Sequence, residues 1–248
     1  MESKHRHTNF FKQILARMRR QPRGQSFVEL MLVVVFLALL LAGVVEFGFM
    51  LNQYLHVLDG AREAARFSSN NVPFGTNADG TINAAVDNPS FYYLACAKAA
   101  STMKPVVLNP GFPDDIVISV FSVTTGNTPL RFPTADPNGW SLCNHYAAFA
   151  AYFTGTLHIA VPTELSNAGW SSGCTVRASQ VSTATVQAPS AITPLPPSTG
   201  VLVVEVYYNY PQLLKLPVLT SVLADPVQLY VYTVMPLSSA APTATPNH

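Results

Sequence analysis

Charge is scarce in this chain. Asp, Glu, Lys and Arg make up 11% of its 248 residues and hydrophobic residues 49%, where roughly a quarter charged is usual for a globular protein. Histidine is missing where a hydrolase would need it. Gly169-Trp170-Ser171-Ser172-Gly173 has the G-x-S-x-G spacing of a nucleophile elbow, which needs a strand before it, a helix after it, and an acid and a histidine further on. Downstream the only histidine is His248, so the five residues read as a serine-rich turn. Cys143-Asn144-His145 is an isolated C-x-H and His158 stands alone in a strand-like pattern; neither supplies the ligands of a zinc centre. Asn77, Asp79 and Gly80 are spaced as in a calcium loop, but Gly75 and Val86 would fill its first and last ligand positions. Asp114-Asp115 after Pro113 reads as a turn rather than a catalytic dyad. Trp140, Trp170, Tyr207, Tyr208 and Tyr210 read as packing rather than a ligand platform. No catalytic residue, metal or cofactor is assigned, and an enzyme is not expected.

The charge that is present is unevenly placed. Lys4, Arg6, Lys12, Arg17, Arg19, Arg20 and Arg23 fall within residues 1–24 against Glu2 alone, half of the chain's 14 basic residues. The next segment, Leu30 to Val45, carries no polar side chain, and extended to Leu51 it makes a helix of about 33 Å, enough to cross a bilayer once. A basic segment against an apolar span sets topology: the amino terminus stays cytoplasmic and everything after Leu51 is exported. That account is preferred to a nucleic-acid arm or a lipid-binding patch, and no nucleic-acid partner is expected. No small-x-small site followed by a polar mature start ends the apolar core, so the segment is retained rather than cut away behind it. No cysteine stands where a lipoprotein signal would need one, and Pro22-Arg23 after Arg19-Arg20 argues against a twin-arginine signal.

Arg23-Gly24-Gln25-Ser26-Phe27-Val28-Glu29 lies at the mouth of that span. An acid near the end of a bilayer helix is costly, up to about 3 kcal/mol when centred, and calls for a partner. The pattern resembles the class III signal of type IV pilin-like proteins. The resemblance implies cleavage by a prepilin peptidase between Gly24 and Gln25, methylation of Gln25, and Glu29 as the fifth mature residue. In such proteins that glutamate meets the free amino terminus of a neighbouring subunit, and an ion pair in low dielectric offsets a desolvation cost neither charge could bear alone. Gly43-Val44-Val45-Glu46-Phe47-Gly48 and Gly60-Ala61-Arg62-Glu63-Ala64-Ala65-Arg66 narrow the likeness to the TadE-like proteins, minor pseudopilins of the tight-adherence (Flp) pilus. It is dense over residues 23–67 and returns only at Tyr207 to Leu237. It implies other pilin subunits, an assembly platform with its ATPase, and membrane lipid as partners. A pilin-like subunit of type II secretion or DNA uptake is the alternative, and a single-pass surface enzyme or receptor the third reading.

One helix is expected from Ser26 to Phe67, with Leu51, Tyr54, Leu55, Leu58, Ala61 and Ala65 on one face of its second half. Glu46 is expected to mark the outer interface of the span, and Arg62, Glu63 and Arg66 to form either a solvated face or a partner contact. Residues 68–237 form an exported domain. Within it, Asn70 to Asn88 reads as a loop. Asn88-Pro89 starts a helix to about Met103, with Leu94, Ala97 and Ala100 or Ser101 on its shared face. Strands are expected at Ile116 to Thr124, Leu157 to Val161, Thr175 to Gln187, Val201 to Tyr208 and Val227 to Met235, and an irregular or helical connection at Leu213 to Leu223, divided by Pro217. The fold class is therefore α+β, an antiparallel sheet packed on the long helix as in type IV pilins. Residues 126–200, rich in Gly, Asn, Ser, Thr and Pro, read as a polar insertion with little core of its own, and 238–248 as a disordered tail. Cys143 and Cys174, both within that stretch, are the favoured disulfide, leaving Cys96 as a buried thiol.

Overall fold

The computed structural model describes residues 23–123, 129–187, 199–215, 220 and 223–241. The basic leader up to residue 22, the prolines Pro189, Pro194, Pro196 and Pro197, Pro217 with most of the Leu213 to Leu223 connection, and residues 242–248 lie outside the described residues. The chain divides into two units, 1–48 and 49–248. Helix α1 (Arg23–Ser68) contributes to both.

In the first unit the described apolar side chains of α1 from Phe27 to Leu41 are exposed. Leu32 is 70% exposed, and Phe27, Val28, Phe36 and Leu41 are likewise open. In water each such side chain would forgo about 1.5–3 kcal/mol of burial, so the segment suits an apolar solvent. Among the described residues α1 is the one helix long and apolar enough to cross a membrane.

The second unit is α+β. Strands β3 (Asp115–Val123), β4 (Pro129–Phe132), β5 (Trp140–Ser141), β6 (Thr199–Tyr210) and β7 (Val227–Pro236) form one antiparallel sheet in the order β4-β3-β6-β7, with β5 also paired to β3. β3 and β6 are the fully flanked pair, Val117 opposite Glu205 and Phe121 opposite Val201. Along these strands alternate residues go to opposite faces. Ile116, Ile118, Val120, Leu202, Val204 and Val206 share a core with α1's Val57, Ala61, Ala64 and Ala65 and with helix α2 (Pro89–Thr102). Phe121, Val123, Val201 and Val203 meet Val181 and Val186 on the other face.

Several expectations are corrected by this arrangement. Residues 70–88 are not a plain loop: β1 (Phe74–Thr76) and β2 (Ile82–Asp87) form a hairpin. Gly80 closes its turn at φ 81°, a left-handed value glycine adopts freely, and the Asn77 and Thr81 backbones bond across it at 2.8 Å. β2 escapes the sequence pattern because most of it is exposed and it contains Ala84-Ala85, weak strand formers. Leu157 to Val161 is not a strand. Helix α3 (Leu142–Ala151) runs on into a wider turn at Tyr152–Thr156, and His158 follows at φ 55°. Thr175 to Gln187 is not a strand either. Its Arg177 and Gln180 backbone N–H groups donate to the Asp115 and Glu205 carboxylates rather than to a neighbouring strand, and it ends in the short helix α4 (Thr183–Gln187).

Helix α2 has Asn88 at its N-cap and Pro89 in its first turn, but the side chain of Asn88 caps no backbone N–H. Its buried face is Phe91, Tyr92, Ala95, Cys96 and Ala99; Leu94 and Ala97 are half-buried and Ser101 is exposed. On α1, Leu51 and Leu55 are exposed while Val57 and Ala64 are buried. The stretch expected as a polar insertion carries much of the core. Trp140, Leu142, Phe149, Leu165 and Trp170 are buried in the same cluster as the helices, and Leu142, Tyr146, Phe149 and Phe153 recur at helical steps along one buried face. Residues 238–241 belong to the fold as well: Ser238–Ala240 makes a turn, Ala240 is buried, and Ser239 Oγ donates to the Asn71 carbonyl.

Candidate functional site

Gly24 and Gln25 lie in the first turn of α1, and Glu29, one turn on, is exposed among apolar neighbours. Glu46 is 6% exposed. The remaining helix motif, Gly60 to Arg66, has two sides. Gly60, Ala61, Ala64 and Ala65 are buried, and Arg62 and Arg66 are exposed. The small side chains let two backbones approach: a Cβ on Gly60 would come within 2.9 Å of the Ala99 carbonyl oxygen on α2, and Met103 would also be struck. Helix spacing puts Gly60 and Ala64 on one line and Ala61 and Ala65 on the next, so the contact is one stripe wide.

The outward side is a row of alternating charge. Glu63 accepts from Arg66 Nε at 2.8 Å and Nη2 at 3.0 Å, a two-pronged pairing, and Lys98 Nζ of α2 lies 3.3 Å from Glu63 Oε1. Hydrogen bonding from Arg66, and behind it from Lys98, holds the Glu63 carboxyl below its ordinary value. Arg62 reaches Asp59 only at 4.0 Å. These residues, with Thr233 and Met235 of β7, line a groove of about 580 Å³.

Cys143, in the first turn of α3, is bonded to Cys174 with Cα atoms 5.8 Å apart, and Cys96 is free and buried. The bridge closes around Trp170, whose ring stacks on Tyr146 at 6.0 Å, while Tyr146 Oη donates to the Leu165 carbonyl at 2.7 Å. Residues 169–173 thus serve packing: Trp170 is buried and Ala168–Ser171 is a tight turn. With Cys143 oxidised and His145 Nε2 2.9 Å from Asp136, the C-x-H residues are both engaged.

Sequence reading missed two heavily bonded acids in the domain. Asp114 and Asp115, expected in a turn, are buried, and Asp115 opens β3. Asp114 Oδ1 accepts from the backbone and side-chain nitrogens of Asn209 at 2.7 and 2.8 Å, and Oδ2 accepts from Asn109 N at 2.9 Å. Asp115 Oδ2 accepts from Ser141 Oγ at 2.5 Å and Arg177 N at 2.9 Å, and Oδ1 from Ile116 N and Cys143 N. Burial pushes the Asp115 carboxyl up to about 6, against the pull of these donors, and Asp114 is raised by the same cause. All four oxygens are occupied, so the pair staples loops to the sheet and leaves none open to a substrate. Only the adjacency of two acids before an apolar alternation could have flagged them.

The comparisons fall on the helix rather than on these acids. The family model for TadE-like proteins matches residues 24–66. No curated protein and no solved structure matches the chain. The matched stretch holds Glu29, Glu46 and the whole Gly60 to Arg66 row, so its two halves are an exposed apolar helix and the small-residue seam of the folded domain. Through that helix the chain is similar to the TadE-like proteins.

Proposed function

We propose that this chain is a membrane-anchored minor pseudopilin, a non-enzymatic structural subunit of a tight-adherence pilus. The basic leader 1–24 stays in the cytoplasm, the helix 25–67 crosses the inner membrane once, and the domain 68–237 is exported. A prepilin peptidase cuts between Gly24 and Gln25. Glu29 then meets the new amino terminus of an adjoining pilin-like subunit, and the assembly platform and its ATPase draw the neutralised helix out of the bilayer.

One observation carries this reading: α1 exposes its apolar side chains throughout residues 30–41, with the carboxyl of Glu29 at their edge. A carboxylate there has a cost that a single neighbouring cation removes. The Gly60 to Arg66 seam supports it too, since it lets one helix serve both as anchor and as a wall of the exported core. Mass spectrometry of the protein from native membranes is expected to give methylated Gln25 at the amino terminus. A chain retaining Met1 would overturn the proposal.

A further inference from the structure

The two edges of the sheet are built differently. β4 has four residues and starts on Pro129, which has no N–H to donate. Its Arg131 is drawn over the Phe121 ring at 4.9 Å and donates to the Pro137 carbonyl at 2.8 Å. Shortness, proline and charge are the usual guards against edge pairing. β7 is ten residues long and uncharged, and its one proline, Pro236, is its last residue. It is rich in β-branched and aromatic side chains. β6 pairs with one side of it, and among the described residues no strand pairs with the other. Tyr232 is 47% exposed.

The groove described above lies along this open edge. Val231 enters the core shared with the helices, and by strand alternation Thr233 and Met235 lie on the same side. Both line the groove, opposite Asp59, Arg62, Glu63 and Arg66. A strand added beyond β7 at about 4.8 Å would turn alternate side chains into this space. With Lys98 the groove carries three bases and two acids, and Glu63 already serves two of the bases. One positive charge is left over.

We infer that β7 receives an extended, uncharged strand flanked by a carboxylate, supplied by a second protein of the same assembly, as the next strand of the sheet. The inference rests on the pilus reading for the identity of that assembly. The chain's own segments suit the role poorly: 188–198 contains four prolines and 242–248 contains Pro242 and Pro246, each lacking a ladder donor. A second copy of this chain would set one positive groove against another, whereas an acid on the incoming strand complements it.

The test uses the full chain in detergent micelles and a fluorescent synthetic peptide of about eight residues, a typical strand length, alternating Thr and Val behind one Asp. Binding is expected. Exchange of the Asp for Lys is expected to weaken it by about tenfold, and N-methylation of alternate peptide nitrogens to abolish it. Arg62→Glu should reverse the preference between Asp and Lys. Tyr232→Lys should weaken binding of the Asp peptide, with Gln228→Lys as a second edge variant should the first fail to fold by circular dichroism. Equal binding of the N-methylated peptide, no binding at all, or a dimer of the wild-type chain that Tyr232→Lys dissociates would overturn the inference. Peptide binding does not depend on Gly24 or Glu29, so its failure beside a correctly trimmed amino terminus removes this inference alone. Binding beside an untrimmed terminus removes the pilus reading instead.

Discussion

Replacing Asp115 by Asn should change how the stability of the folded domain depends on pH. The carboxyl is buried and its pKa stands at about 6, against an ordinary value of 3.8. A raised acid means that the folded state holds its proton more tightly than the unfolded state. Stability therefore falls as pH rises from about 4 to about 6 and is level above that. At about 1.4 kcal/mol per pH unit the gap amounts to about 3 kcal/mol. Asn cannot ionise, so the variant should lose this slope. It has its own cost, because one of its two side-chain positions becomes a donor facing donors. Either Ser141 Oγ and Arg177 N, or Ile116 N and Cys143 N, then lose their acceptor, at about 1–3 kcal/mol for each buried group left unpaired. Trp140 and Trp170 are the only tryptophans and both are buried in this domain, so denaturant titrations read by tryptophan fluorescence from pH 4 to 7 follow it directly. Asp114 adds a slope of the same sign to both proteins, and the difference between them isolates Asp115. Equal slopes in wild type and variant would refute the reasoning, whatever the absolute stabilities.

Gly60→Leu should destabilise the domain by about 1–3 kcal/mol through overpacking against α2, seen as a lower Tm by circular dichroism, whereas the same change at Gly43, which has open space around it, should leave Tm unchanged. Cys174→Ser opens a bridge spanning 31 positions and should cost about 3–4 kcal/mol in the chain-entropy account; added reductant should then have no further effect on the variant's unfolding. Glu29→Gln should leave membrane insertion intact and abolish piliation, scored by fractionation and electron microscopy, and unchanged piliation would remove the proposed ion pair.

Elements with their own period were legible in the sequence. α1 is a continuous apolar run followed by a small-residue stripe, α2 begins at Asn88-Pro89, and β3, β6 and β7 alternate cleanly or are apolar on both faces. The family resemblance lay in the same helix, where spacing along one element decides which residues share a side. Arg62, Glu63 and Arg66 could thus be grouped from sequence, but their third partner, Lys98, sits on another helix. The disulfide's position next to Trp170 and Tyr146 likewise has no local sign.

What the sequence alone determined is the helix with its charge pattern and the three long strands, because a helix or strand buries a face through the repeat of its own side chains. Tertiary structure decided the rest. Thr175 to Gln187 had the composition of a strand, yet Asp115 and Glu205 took its N–H groups from a distance of 62 and 25 residues. The stretch with the look of a polar insertion became core because Trp140, Phe149, Leu165 and Trp170 each fill a volume bounded by the helices and the sheet. Contacts between residues far apart leave no period in the chain, so only the packed fold could set them.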